Sequence, residues 1–222
     1  MSAPRAAERL GAKEARMLKL KSCRLMERKE VLAWEKIPGN EWAKRAIEVA
    51  AVQRHSVALI YHDRLIAESL REYAKRLGVD VLLVKPCPCG NLGDRAHFCD
   101  CRPSQIKRHR ESALWRIAMR RPVKVLVLRP EAFELVRMLD GAQGESFEAM
   151  EKRVKEARGQ VPARFSQDAL KLVEIAQRQA ELDTEMLRHM AELAKSVAAL
   201  VGADKVGPEH VAEAFQFVKV DI

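Results

Sequence analysis

Hydrophobic and polar positions along the chain form short continuous apolar runs and longer stretches of helical period. Apolar runs rich in β-branched residues lie at 56–61, 79–84 and 123–128, and each predicts a buried strand. A helical period over 65–77, closed by Gly78, joins the first two runs. Strand, helix, glycine and strand in this order predict a βαβ unit with a parallel sheet.

The remaining pattern predicts helices. One begins near Asn40, a good N-cap residue, and a basic helix covers 104–118. Further helices follow the third strand, at 131–139, 145–158, 166–180, 183–200 and, from Pro208, 208–218. The fold class expected is α/β plus all-α and mainly helical, with a small parallel sheet followed by a helical domain.

Three parts are predicted along the chain. Residues 1–34 form a basic helical N-terminal extension, 35–130 an α/β domain, and 131–222 a helical domain. Residues 1–30 carry nine basic and four acidic side chains. A solvated helix and a nucleic-acid-binding arm are both consistent with that excess.

Composition narrows the class of protein. Of 222 residues, 48% are hydrophobic and 32% charged, but only 5% are aromatic, which excludes wholesale disorder and disfavours a β-sandwich. No stretch reaches the roughly 18 apolar residues of a membrane span, and the N-terminus lacks the apolar core of a secretory signal. We expect a cytoplasmic protein without a membrane partner.

Four of the five cysteines fall within fifteen residues, as two C-x-C pairs, while Cys23 stands alone upstream. Four thiolates on two tight turns can close a tetrahedral zinc site, and such a site has no open coordination position. The sequence therefore predicts a structural zinc ion, with His97 as an alternative ligand. Buried free thiols and two disulfides are the other interpretations. The predicted ligands are Cys87, Cys89, Cys99 and Cys101.

The cysteine segment also carries a resemblance to a known family. The run Lys-Pro-Cys-Pro-Cys-Gly at 85–90, with Cys-Asp-Cys and Gln-Ile-Lys-Arg-His-Arg at 99–110, is similar to the cysteine insertion of the magnesium-chelatase-like AAA+ ATPases related to the competence protein ComM. Segments at 37–51, 144–160, 194–200 and 210–217 resemble the same family. The resemblance implies a reduced AAA+-like domain at 35–130 and a lid-like helical domain at 131–222.

Residues that handle ATP in that family are missing. A phosphate-binding loop needs Gly-x-x-x-x-Gly-Lys-Ser/Thr, but the chain has no Gly-Lys pair, and Tyr-His-Asp-Arg follows the first strand at 61–64. The acidic metal-binding pair is absent, and Glu185 stands where the lid arginine is expected. An arginine that reaches a neighbouring subunit can correspond to Arg120, although Met119 replaces the acid before it. The resemblance thus implies a catalytically inactive member without bound ATP.

Positive charge is concentrated near the cysteines. The chain has a net charge of +9, and residues 102–129 hold nine basic side chains against one acidic, whereas 145–222 hold eleven against fourteen. A local cationic excess is typical of polyanion binding. The residues predicted to bind DNA or RNA, without sequence preference, are Arg102, Lys107, Arg108, Arg110, Arg116, Arg120 and Arg121.

Two functions from different classes are consistent with these features. One is a zinc-containing nucleic-acid-binding accessory protein. The alternative is an adaptor that docks on an active AAA+ ATPase, or on further copies of the chain. An enzyme using His62, Asp63 or His97 lacks a recognisable pairing of base and nucleophile.

Overall fold

The computed structural model describes residues 31–220, and the predicted extension at 1–30, with Cys23, lies outside them. Within 31–220 a short 3₁₀ turn (Trp34–Lys36) precedes three strands and nine α-helices. The strands are β1 (Val57–Tyr61), β2 (Val81–Val84) and β3 (Val123–Val127). The helices are α1 (Glu41–Gln53), α2 (Arg64–Arg76), α3 (Pro103–Arg110), α4 (Ala113–Met119), α5 (Ala132–Leu139), α6 (Phe147–Arg158), α7 (Gln167–Ala180), α8 (Thr184–Leu200) and α9 (Pro208–Val218).

The three strands form one parallel sheet with β1 in the centre, between β2 and β3. Val57 of β1 is in register with Val81 on one side and Val123 on the other. Because successive side chains point to opposite faces, Leu59 joins the large core while Ala58 and Ile60 pack with Trp115 of α4. The predicted small parallel sheet with surrounding helices is confirmed.

Helix α1 connects the sheet to the C-terminal helices. Its alanines at 43, 46, 50 and 51 are fully buried, and small side chains allow close helix packing. Residues of α1, the sheet, α6, α8 and α9 belong to one hydrophobic cluster, and the chain from Leu32 onward forms one compact unit. The predicted helical domain therefore shares its core with the predicted α/β domain.

A charged network centred on one buried carboxylate connects α1 and α6. Glu48 is 4% exposed and forms ion pairs with Arg45 and Arg153. Arg153 also makes two hydrogen bonds to Glu145, at 2.6 and 2.8 Å. Removing one partner of a buried pair leaves an uncompensated charge, so this network fixes how α6 packs on α1.

One local prediction was wrong, and a second, the helix start at Asn40, was confirmed in its position but not in its side-chain cap. The helix predicted over 104–118 is two helices, because the Ser112 hydroxyl accepts a hydrogen bond from the Trp115 N–H and starts α4 there. Asn40 precedes α1 but does not cap it with its side chain. Its amide instead exchanges two hydrogen bonds with the backbone of Leu128, at 2.8 and 3.1 Å, which ties the start of α1 to the end of β3.

In the described part of the chain, no helix has the length and apolar character needed to span a membrane.

Candidate metal centre

The fold brings the four predicted ligands together at one end of the sheet. Cys87 and Cys89 follow β2, and Cys99 and Cys101 precede α3. All four Sγ atoms lie within 4.8 Å of one another. Because the chain leaves β2 and returns to α3 at this point, a shared ion would close the loop between the two elements.

The sulfur separations match a metal site and not a disulfide. Sγ of Cys87 lies 3.3 Å from that of Cys89 and 3.6 Å from that of Cys99, and Cys89 and Cys99 are 3.6 Å apart. A zinc ion at about 2.3 Å from each of four sulfurs would separate them by roughly 3.8 Å. A disulfide would need about 2.05 Å. Small outward shifts of the sulfurs would accommodate zinc, and none of the four cysteines forms a disulfide with another.

Backbone N–H groups point at the sulfurs, as expected for thiolate ligands. Gly90 N–H donates to Cys87 Sγ at 3.2 Å, Asn91 N–H to Cys89 Sγ at 3.4 Å, and Cys89 N–H to Cys101 Sγ at 3.4 Å. Gly90 adopts φ +93°, in the left-handed region that disfavours side chains. The turn after the first cysteine pair therefore requires a glycine at position 90.

The neighbouring thiols of the cluster differ in pKa. Desolvation raises the pKa of Cys89, but the Asn91 N–H and the thiols of Cys87, Cys101 and Cys99 outweigh it and lower that pKa to about 6. The Cys101 N–H favours the thiolate of Cys99, but desolvation and the neighbouring thiols raise its pKa to about 12. Four thiolates at this spacing therefore need a cation, and metal binding would release protons.

Three side chains anchor the loop to the rest of the fold. His62, after β1, lies with Nδ1 2.8 Å from the Gly90 carbonyl oxygen. Because a carbonyl oxygen only accepts, Nδ1 carries the proton and donates. Arg129, after β3, pairs with Asp94 at 2.7 Å. His109 of α3 donates to the Lys85 carbonyl at 2.8 Å. Each anchor comes from a different element, so the loop is positioned against the ends of β1 and β3 and against α3.

The cationic residues near the loop fall into a group that is buried or paired within the fold and an exposed group. Arg121 pairs with Asp80 at 2.8 Å with its side chain 15% exposed, Lys124 is 5% exposed, and Arg129 holds Asp94. These three serve the fold, so we leave Arg121 out of the predicted binding set. The six remaining predicted residues are exposed and are called the basic surface: Arg102, Lys107, Arg108, Arg110, Arg116 and Arg120.

The basic surface is built on α3 and α4. Pro103 occupies the first turn of α3, and the Gln105 side chain accepts a hydrogen bond from the Arg102 N–H at 2.8 Å, which starts the helix directly after Cys101. Trp115 and Ala118 of α4 are buried beneath the sheet. The opposite side of α4 therefore faces outward with Arg116 and Arg120.

The residues considered for catalysis have structural partners. His62 anchors Gly90, and the Asp63 carboxylate accepts a hydrogen bond from the Ile66 N–H at 3.1 Å, capping α2. His97 lies 3.4 Å from Asp94 and is not part of the sulfur cluster. The structure brings no nucleophile and base together from these three residues.

Sequence reasoning missed Phe98, which is 94% exposed in the cysteine loop. The sequence feature that could have indicated an exposed ring is one aromatic residue within a segment of otherwise polar and small side chains. It also missed His62, Asp94 and Arg129 as loop anchors, because their partners lie on other elements.

Comparison with models of known protein families and with curated proteins gives no match to this chain.

Proposed function

We propose that this chain is a nucleic-acid-binding protein whose binding surface is ordered by a structural zinc ion, and that it does not hydrolyse ATP. The observation that carries the proposal is the clustering of four sulfurs directly beside the basic surface. Between residues 102 and 120, Glu111 is the only acidic residue. A local excess of exposed basic over acidic side chains favours a polyanionic partner.

Cys87, Cys89, Cys99 and Cys101 would hold the ion, and their donor set fits zinc. Zinc in a closed four-thiolate site supplies cross-linking and no catalysis. It would connect the end of β2 to the start of α3, so that Arg102 and α3 keep a fixed position relative to the sheet. The anchors His62, Arg129 and His109 act in the same direction.

The absence of ATP hydrolysis has a structural argument of its own. A helix N-terminus after a strand can bind phosphate through its free N–H groups. Here the Asp63 carboxylate already accepts from the first turn of α2 and would repel a phosphate. This supports our proposal that the chain does not hydrolyse ATP. The proposal that it is a degenerate relative of the magnesium-chelatase-like ATPases rests on the resemblance of the cysteine run at 85–110.

A salt titration with matched variants tests nucleic-acid binding. A triple alanine variant of Lys107, Arg108 and Arg116 is compared with a control that removes the same charge from Arg164, Arg178 and Lys205, exposed residues of the C-terminal region. If the three test residues contact phosphates of a single strand, affinity at about 0.1 M salt falls about 100-fold, and the slope of log K against log salt becomes less negative by about 2.

The control variant is expected to stay within about threefold of the wild type. Equal losses in both triple variants would mean that net charge, and not the basic surface, governs binding. Absence of binding at about 50 mM salt, for single strands and duplexes of DNA and RNA alike, would contradict the proposal.

Docking on an active ATPase is a second candidate. It is favoured by α5, where Phe133, Val136 and Leu139 are 57%, 54% and 78% exposed, since large exposed apolar side chains on one helix mark protein interfaces. The same titration separates the two functions, because an adaptor of this kind needs no affinity for nucleic acid.

A further inference from the structure

Phe98 has the highest exposure among the large apolar side chains of residues 31–220, at 94%. Leaving a phenylalanine in water forgoes roughly 1.5–3 kcal/mol of burial, so the fold gains nothing from it. The residue lies directly before Cys99, and its carbonyl oxygen accepts a hydrogen bond from the Asn91 side chain at 3.4 Å. The backbone that presents the ring is therefore held at the Phe98 carbonyl, next to the cysteine cluster.

The surroundings of Phe98 are cationic. Phe98 and the exposed Arg102 flank the second cysteine pair. The Arg95 side chain is 82% exposed and pairs with Glu131 at 3.2 Å. Asp94 is only 3% exposed and is neutralised by Arg129, which leaves Asp100 as the exposed acid of this stretch. An exposed aromatic ring four residues before the exposed Arg102 matches a base with a flanking phosphate, because every base offers a flat face for stacking.

We infer that Phe98 stacks on an unpaired base, so that single-stranded nucleic acid is the preferred ligand of the basic surface. This inference rests on the proposed nucleic-acid binding. In a duplex the bases already stack on each other and are enclosed by the backbones, so Phe98 can add little there. The ring supplies affinity for bases, and the basic surface supplies affinity for phosphates.

Three ligands separate the two contributions: a polythymidine strand of about fifteen nucleotides, an abasic strand of the same length, and a duplex. Each is titrated at constant salt against the zinc-loaded chain and its Phe98→Ala, Phe98→Trp and Phe133→Ala variants. Phe133 of α5 is the matched control, because it is also an exposed phenylalanine. Zinc content and circular dichroism verify that each variant is folded.

Phe98→Ala is expected to weaken polythymidine binding by roughly 5- to 100-fold, and to leave abasic-strand and duplex affinities within about twofold. Phe98→Trp should retain binding, with its indole fluorescence quenched by polythymidine, and Phe133→Ala should bind as the wild type does. Unchanged polythymidine affinity in Phe98→Ala would overturn the inference and leave Phe98 as an anchor for a protein partner. Failure of the wild type to bind any ligand would instead refute the proposed function itself.

Discussion

A lysine buried in the central part of the fold gives a prediction whose magnitude follows from the structure. Lys124 of β3 is 5% exposed, and its ammonium donates to the Arg121 carbonyl at 2.9 Å. Burial lowers the pKa of Lys124 to about 8, although Asp183 and Glu185 partly compensate by favouring the charged form. The partly desolvated ammonium of Lys124 therefore destabilises the folded protein.

The cost can be estimated from that pKa. A decrease from 10.5 to about 8 corresponds to roughly 3 kcal/mol, since each tenfold change in proton affinity is worth about 1.4 kcal/mol. Replacing Lys124 with methionine removes this cost but leaves the Arg121 carbonyl without its donor, at about 1 kcal/mol. Lys124→Met should therefore stabilise the protein by about 2 kcal/mol at pH 7.

The pH dependence has a definite sign. Below about pH 8 the lysine is protonated in both folded and unfolded chains, and the cost is fully present. As the pH rises from about 8 to 10.5, the folded form loses the proton first, so the wild type gains stability relative to Lys124→Met. The advantage of the variant should shrink across this window.

Urea denaturation at pH 7 and at about pH 9.5 measures both effects. Lys171→Met is the control, because the Lys171 side chain is 72% exposed and its loss should change stability by less than about 0.5 kcal/mol. Destabilisation of Lys124→Met by more than about 1 kcal/mol at pH 7, with no pH dependence, would refute the argument that desolvation dominates.

Two further predictions concern the metal and the buried ion network. Purified protein should contain about one zinc per chain; Cys101→Ser should lose most of it and Cys23→Ser should keep it, and equal zinc content in both variants would contradict the four-cysteine site. Glu48→Gln should destabilise the fold by about 1.5–3 kcal/mol in urea, because Arg45 and Arg153 lose their shared buried carboxylate and keep only Glu213 and Glu145. Glu148→Gln, at an exposed position of α6, should cost less than about 0.5 kcal/mol, and similar losses for both would contradict the role of the network.

The order of strands and helices could be predicted because local signals agree with the tertiary structure. The β-branched runs became β1, β2 and β3, Gly78 ended the connection after α2 with φ +78°, and Pro208 began α9. Asn40 was different, because its partner is Leu128, 88 residues away. A side chain with several hydrogen-bonding options takes the one that the fold brings near, and sequence alone does not contain that distance.

The candidate site also has a part that the sequence predicts and a part that it does not. Two C-x-C pairs on one loop predict that four sulfurs meet, since short turns leave them few other arrangements. Which cations near the loop remain at the surface depends on the neighbours of each strand, so burial of Lys124 and pairing of Arg121 with Asp80 could not be predicted. The local excess of charge was therefore visible in the sequence, but the basic surface was not.

The central claim is that exposed cations beside the cysteine cluster bind nucleic acid through its phosphates. The most direct test is the affinity of the zinc-loaded chain for a polythymidine strand, measured at several salt concentrations between about 50 and 300 mM. If all six residues of the basic surface contact phosphates, the slope of log K against log salt should be about −4. A slope near zero, or no binding at the lowest salt, would contradict the claim.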